Sequence, residues 1–346
     1  MTRNVTYRIK GLRNGAYLTD LHWPDDSPPN IIMRANGELK SSISGTFLPD
    51  DSFNWLRDEL QPCIIIDGEE HSLGIFRPTT MSAGEKSFVR RVTATAYDRA
   101  WLCKAQKTET LLHLSAGAAY IDQIKKLLVH CGIINVLADT SAAVLPADRE
   151  DWQVGTSYLT IINDLLTEIG FTPLWFDAEG FAHLERYAAP RAEAIKRTYS
   201  AQRGMQMLPM LRDYSEETDI FNAPNVFVCI CDNADRSAVL TATAENASFG
   251  AKSILQRGMR IAQVEKVKQI ADQASLQAYA DKLRDENLMG TREVSISVPS
   301  EAGHGVGDVI AIDHPEIGGI YQETGWRLTL AAGQTMKITA KRAVIF

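Results

Sequence analysis

Apolar positions follow two regimes: short alternating runs toward both ends of the chain and helical stripes in its middle. Val5 to Ile9 and Glu38 to Phe47 read as strands, with a loop through Pro24, Pro28 and Pro29 between them. Asp50 or Asp51 is placed to cap a short helix carrying Phe53, Leu56 and Leu60, which Pro62 ends. A β-branched block then runs Ile64-Ile65-Ile66-Asp67, Gly74-Ile75-Phe76, Gly84 and Val92-Thr93-Ala94-Thr95. A similar block returns as Val309-Ile310-Ala311-Ile312-Asp313, Gly319-Ile320-Tyr321, Gly333 and Ile338-Thr339-Ala340. Both read as strands joined by turns, because Gly supplies the positive φ that hairpin turns need. Duplication and shared β-meander grammar both account for the match at this stage.

A second repeat lies between the blocks. Tyr120-Ile121, Ile124, Leu127-Leu128 and Gly132-Ile133 recur as Tyr158-Leu159, Ile162, Leu165-Leu166 and Gly170-Phe171. The i, i+1, i+4, i+7, i+8 spacing makes each an amphipathic helix, with Ser115 and Thr156 or Ser157 as caps and Gly132 and Gly170 as left-handed ends. Leu174 to Leu184 reads as a hairpin turning at Asp177-Ala178-Glu179-Gly180. Pro190 and Pro209 mark a crossing back to β structure. Asn225 to Cys231 is then a strand with Asp232 to Asp235 as its turn, Ser275 starts a helix carrying Leu276, Tyr279, Ala280 and Leu283, and Val294 to Val298 returns to strand.

The 346 residues exceed the roughly 250 to 300 over which one core keeps growing, so several modules are expected. A formal charge of -7 argues against broad binding to a phosphate backbone. Two basic stretches, Lys252, Arg257, Arg260, Lys266 and Lys268, and Arg186, Arg191, Lys196, Arg197 and Arg203, read first as solvated charge. Cys63, Cys103, Cys131, Cys229 and Cys231 fit no disulfide framework, which suits a reducing compartment. The N-terminus lacks the apolar core of a signal peptide, and no run approaches the ~18 apolar residues of a membrane span.

Reactive groups do not assemble into a motif. His304, Asp308, Asp313 and His314 are the densest set of metal-ligand types, but they match no zinc spacing and sit in a glycine-rich turn. His183 and Glu185 share a strand face, Cys229 and Cys231 lack C-x-x-C spacing, and the acid pairs Asp50-Asp51, Asp58-Glu59 and Glu69-Glu70 suit surface turns. Gly303, Gly305 and Gly307 do not continue into a dinucleotide fingerprint. The chain is therefore read as no enzyme, with no catalytic, cofactor-binding or metal residue and no cofactor.

Several phrases resemble the central hub proteins of bacteriophage tails and related contractile machines, relatives of the baseplate hub and of the N-terminal part of type VI secretion spikes. They are Gly37 to Ser42, Leu73-Gly74-Ile75-Phe76 with Val92 to Asp98, the helix and hairpin from Ile161 to Tyr187, and Val306 to Ile310 leading to Trp326-Arg327-Leu328. The resemblance implies an α+β, β-rich fold: a tail-tube-like β-barrel over 1–105, an inserted α/β domain over 106–208, and a second barrel over 209–346 with a helix near 275–288. It further implies a homotrimeric structural adaptor in the tail of a phage or phage-like particle, made in the bacterial host cytoplasm. Its expected partners are the tail tube or distal tail protein, the spike or tail-tip protein and the tape-measure protein. No membrane is expected, and nucleic acid at most transiently in the channel. Two other readings are a tail-associated cell-wall hydrolase using Asp58 and Glu59 or the His304–His314 loop, and a carbohydrate-binding module stacking sugars on Trp152, Trp175 or Trp326. The chain closes on Ala343-Val344-Ile345-Phe346, where burial of Phe346 alone is worth about 1.5–3 kcal/mol. Removal of these four residues is expected to impair trimer formation, as read by size-exclusion chromatography with light scattering.

Overall fold

The computed structural model describes residues 3–86, 88–202, 207–217, 224–232, 239–248, 250, 252–267, 270, 272–289 and 293–343. The chain begins with the hairpin of β1 (Val5–Arg13) and β2 (Ala16–Leu21). Asn14 and Gly15 turn it with φ of 52° and 78°, the doubly left-handed geometry that an Asn-Gly pair tolerates. There follow β3 (Asn30–Arg34), β4 (Ser41–Phe47), β5 (Glu59–Ile66), β6 (Glu69–Ser72), β7 (Phe76–Lys86) and β8 (Val89–Asp98). The helix expected from Asp50 or Asp51 to Leu60 does not form. Asp58, gripped by both nitrogens of the Arg13 fork at 2.9 and 2.7 Å, accepts the Asn54 N–H and closes a turn instead. Leu60 enters β5 opposite Gly11, and Pro62 lies within that strand rather than ending a helix.

The inserted segment contains α1 (Ala100–Ala105), α2 (Tyr120–His130), β9 (Val136–Ala138), α3 (Tyr158–Glu168), β10 (Trp175–Phe176) and β11 (Ala182–Leu184). Helices α2 and α3 each span 11 residues and end alike. Gly132 and Gly170 take φ of 85° and 73°, and Ile133 and Phe171 donate their N–H groups to Leu128 and Leu166, both at 2.9 Å. Their starts differ, since Ser157 caps α3 through the Thr160 N–H while α2 has no side-chain cap and Ser115 lies in an earlier turn. Tyr120, Ile124, Leu128, Ile162, Leu166, Phe171 and Leu184 build a core of their own.

The remainder contains β12 (Ile195–Ser200), β13 (Leu208–Pro209), β14 (Tyr214–Glu217), β15 (Val226–Cys231), β16 (Leu240–Glu245), α4 (Ile254–Arg257) and β17 (Ala262–Lys266). Then come α5 (Gln273–Met289), β18 (Glu293–Pro299), β19 (Val309–Asp313), β20 (Gly319–Thr329) and β21 (Thr335–Arg342). A small sheet in the order β16-β15-β17 packs on α5 around Cys229, Cys231, Ala244, Leu276 and Ala280. Helix α5 starts two residues before Ser275 because Asp272 receives the Ser275 N–H at 2.7 Å. Of the turn expected at Asp232 to Asp235 only Asp232 is among the described residues, and Val344 to Phe346 also lie outside them.

Strands from both ends of the chain belong to one sheet of 15 strands with one shared core. The architecture is β-rich with few helices, and no closed barrel is seen among the described strands. The sheet stays open because β3, which precedes the first block, pairs with β20 of the second, Asn30 opposite Thr329 through Arg34 opposite Gly325.

Within the inserted core, Arg149 is 2% exposed, stacks over Trp152, and bonds Glu168 at 2.7 Å and Asp151 at 2.5 Å. Glu168 also accepts from the Tyr120 hydroxyl, and its burial pushes its pKa up to about 7 despite the guanidinium beside it. Removing the cation leaves a buried carboxyl without its partner, which typically costs about 3–5 kcal/mol. Arg149→Ala is expected to lose that much in urea unfolding, whereas Glu150→Ala, next to it on the surface, is expected to stay within about 0.5 kcal/mol.

Candidate functional site

Eight strands run antiparallel in the order β14-β18-β21-β20-β3-β4-β8-β7. This strip consists of two halves with the same construction. In β14-β18-β21-β20 and in β3-β4-β8-β7 the final strand has 11 residues and carries a bulge at the same distance from a buried aromatic. Phe76 and Tyr321 are fully buried, and the register slips two to four residues beyond each, between Pro78 and Thr80 and between Glu323 and Gly325. Gly74 and Gly319, two residues before those aromatics, have φ of 128° and 153°, and a Cβ on Gly74 would lie 2.8 Å from the Phe76 ring.

The duplicated phrase is thus a repeat of strand order, although part of its alignment shifts. Thr95-Ala96, not Thr93-Ala94, stands where Thr339-Ala340 does, since Thr95 pairs with Thr80 and Thr339 with Gly325 just past each bulge. A slip of two keeps every side chain on its face. Leu60 opposite Phe76 matches Ile310 opposite Tyr321, which moves Ile64 to Ile66 out of the repeat. Gly333 lies in the turn between β20 and β21 and has no counterpart in Gly84, which is inside β7.

The strip has one apolar and one polar face. Val294, Ile296, Val298, Met336, Ile338, Ile43, Phe47 and Ala94 point into the core, while Ser295, Ser297, Lys337, Thr339, Ser42, Ser44 and Thr95 alternate with them. Both outer edges are open among the described residues. Thr80 to Lys86 of β7 pair with β8 alone, and β14 pairs with β18 alone.

The reactive residues named from the sequence do not converge. His304 donates or accepts at Nδ1 with Glu323, 2.9 Å away in the core; Asp308 binds Lys196 and Arg197; Asp313 takes the Ser200 hydroxyl; His314 packs edge-on against Tyr214. Among the described residues no three His, Cys, Asp or Glu side chains are grouped to hold a metal ion. Asp58 belongs to Arg13, which holds its carboxyl below the usual range, and Glu59 to Arg99. His183 lies on the central strand of the β10-β11-β9 sheet, stacked on Trp175 and bonded to Asp177 and Glu185. Its burial opposes a charge, but those two carboxylates raise its pKa overall. Trp152 and Trp326 are buried, leaving little ring surface for a sugar. All five cysteines are free and buried. In the basic stretches Arg260 pairs with Glu245, Lys196 and Arg197 with Asp308, and Arg186 bonds the Thr140 carbonyl; Arg203 and Lys268 lie outside the described residues.

Asp98, which ends β8, joins the strip to the inserted segment. It accepts the Ser41 N–H at 2.7 Å and the Ala100 N–H that starts α1 at 3.1 Å, and burial pushes its pKa up to about 6. The open edges leave little trace in the sequence. Thr79 to Lys86 carries only two strongly β-forming residues, and Tyr214-Ser215-Glu216-Glu217 has no alternation to flag it.

The sequence matches no family model and no curated protein. Solved structures do match over nearly the whole chain. A tail protein from Neisseria meningitidis MC58 aligns at 14% identity and TM-score 0.68, covering 97% of both chains. The 43 kDa tail protein of prophage MuSo2 from Shewanella oneidensis aligns at 9% identity and TM-score 0.67 over 98% of both. The chain has the fold of prophage tail proteins. Prophage tail protein gp18 from Listeria monocytogenes EGD-e shares it at 13% identity and TM-score 0.57, with 96% of this chain and 94% of that one covered. The resemblance read from the sequence phrases therefore holds at the level of fold.

In this tail-protein fold the joint between the halves has no spare room. A Cβ on Gly325 would lie 2.7 Å from the Met33 carbonyl oxygen, a backbone atom that cannot swing away. Gly325→Val is expected to destabilise the protein by about 1–3 kcal/mol, with faster amide exchange in residues 30–34 by mass spectrometry.

Proposed function

We propose that the chain is a structural subunit of a phage or phage-like tail, a homotrimeric hub that joins a six-fold tube to a three-fold spike or tip. The observation that carries this reading is the strip of two equivalent four-strand halves in a chain with the prophage tail-protein fold. Three chains supply six like modules, the number a six-fold tube offers, while the chains themselves repeat only three times. In this reading residues 1–105 and 209–346 carry the two tube-like modules and 106–208 the inserted domain, whose last strand, β12, joins the sheet of the second module. The unit formed by β15, β16, β17 and α5 decorates the second module.

The core-facing side of the strip is closed by β1, β2, β5 and β6 around one half and by β12, β13 and β19 around the other. The polar side, with Ser42, Ser44, Thr95, Ser295, Ser297 and Thr339, then lines the channel. Its hydroxyls and mixed charges suit passage of polymer or tape-measure protein rather than tight capture. The chain's partners are the tube or distal tail protein on one face and the spike or tip protein on the other, and its place is the particle's tail. Chemistry on the cell wall falls to other subunits.

Light scattering of the purified full chain tests the stoichiometry, and electron microscopy the symmetry. A mass of three chains with a central channel and six similar modules is expected. A strictly monomeric protein at high concentration, or a ring without three-fold symmetry, overturns the reading.

A further inference from the structure

Each half of the strip ends in a strand whose far portion turns one edge outward. In the second half that edge of β20, Gly325 to Thr329, is filled by β3. In the first half the matching edge of β7, Thr80 to Lys86, has no strand partner among the described residues. The counterpart of β3 is β14, which pairs antiparallel with β18 as β3 does with β4, and no second strand pairs with it among the described residues. We propose that β14 of one copy of this chain pairs antiparallel with β7 of the next, repeating between molecules the junction that β3 and β20 make within one. This deepens the hub reading and rests on it, by assigning the strands and the register of the subunit seam.

The register follows from the repeat. Gly325 and Thr80 each follow the bulge, so Thr329 and Gly84, four residues on, are equivalent. Ser44 and Ser295 pair with Thr95 and Thr339, the residues opposite Thr80 and Gly325, so they are equivalent as well. Asn30 lies opposite Ser44 and Ser215 opposite Ser295. Because Asn30 pairs with Thr329, Ser215 pairs with Gly84, Glu216 with Ala83 and Glu217 with Ser82.

The chemistry of the two edges agrees with this pairing. Between Thr79 and Glu85 the β7 edge has neither the proline nor the lysine that normally blunts an exposed strand, and its residues from Thr80 on are exposed. Met81 is 48% exposed. The β7–β8 hairpin ends in Glu85, Lys86, Arg90 and Arg91, whereas β14 ends in Glu217. Lys86 and Arg91 share Asp26, at 3.2 and 2.8 Å, and Glu85 lies opposite Arg90, so these groups leave the hairpin end with one net positive charge. The seam is head-to-tail: each copy gives one donor strand and one acceptor edge, and a closed ring leaves neither over.

Cysteine pairs in the full chain test the seam, since directly opposed strand residues lie within disulfide reach and a shift of one residue puts the thiols on opposite faces. Ala83→Cys with Glu216→Cys is expected to give covalent dimers and trimers under mild oxidation on a non-reducing gel. Ala83→Cys with Ser215→Cys is the control and is expected to give at least ten-fold less. Unchanged thermal unfolding of both reduced variants shows that they fold, and the native cysteines, all buried, stay out of the reaction. A trimer in solution that does not cross-link, or cross-links equally with both pairs, overturns the seam while the hub reading stands. A monomer under all conditions overturns both.

Discussion

The pairing of β3 with β20 is the constraint on which the rest of the structure depends. It brings together residues 299 positions apart, with the Thr329 hydroxyl bonded to Asn30 Oδ1 at 2.6 Å. Without it the two β-blocks would be separate sheets, and neither the eight-strand strip nor its two open ends would exist. Ile31, Met33, Trp326 and Leu328 are buried along it, each worth about 1.5–3 kcal/mol, and five residue pairs add ladder bonds of about 1 kcal/mol each. A contact of this sequence separation is slow to form, because the loop-closure entropy must be overcome before any of its enthalpy is gained. The inserted segment and the β15–β17 unit, whose contacts are local, have cores able to form ahead of it.

Buried polar groups then fix how the added units sit on the strip. Asp98 links β4 to the first turn of α1, and Arg99 extends the same joint through Glu59 and the Gly180 carbonyl. His304 and Glu323 lie together in the core beside the bulge of β20, with side chains 1% and 0% exposed. A pair of that kind contributes little net stability compared with apolar residues, but breaking one partner is costly, so it favours a single arrangement. These groups, rather than a cleft with convergent nucleophiles, account for the unusual environments of the acidic and histidine side chains.

Much of this was legible in the sequence, for reasons that differ by element. Helices α2 and α3 were plain because their stripes and terminal glycines are local signals, and the hairpin at Asp177 to Gly180 carries its own turn chemistry. The pairing Gly74-Ile75-Phe76 with Gly319-Ile320-Tyr321 was also visible, since a positive φ followed by a buried aromatic leaves a residue-type imprint. Residues 50–60 misled because Phe53, Leu56 and Leu60 mimic a helical face. The Arg13–Asp58 bond and the sheet together override that spacing, and Leu56 ends up 75% exposed. The join of β3 to β20 left no trace, because strand partnership across some 300 residues depends on edges and register rather than on composition. For the same reason β14 and the far part of β7 look like polar loop in the sequence.

A chain that carries both halves of a repeat needs half as many bimolecular junctions to close a ring as a chain that carries one. Each association between molecules costs several kcal/mol of translational and rotational freedom, whereas the β3–β20 joint pays only the logarithmic cost of closing a loop. Duplication within one chain also permits the halves to differ. The second half bears the unit built from β15, β16, β17 and α5, and the first passes into the inserted segment through Asp98. Identical single-module subunits could not present that alternation around a ring. In the proposed hub the strip therefore joins two symmetries by one device: its backbone order repeats twice per chain, and its attachments once.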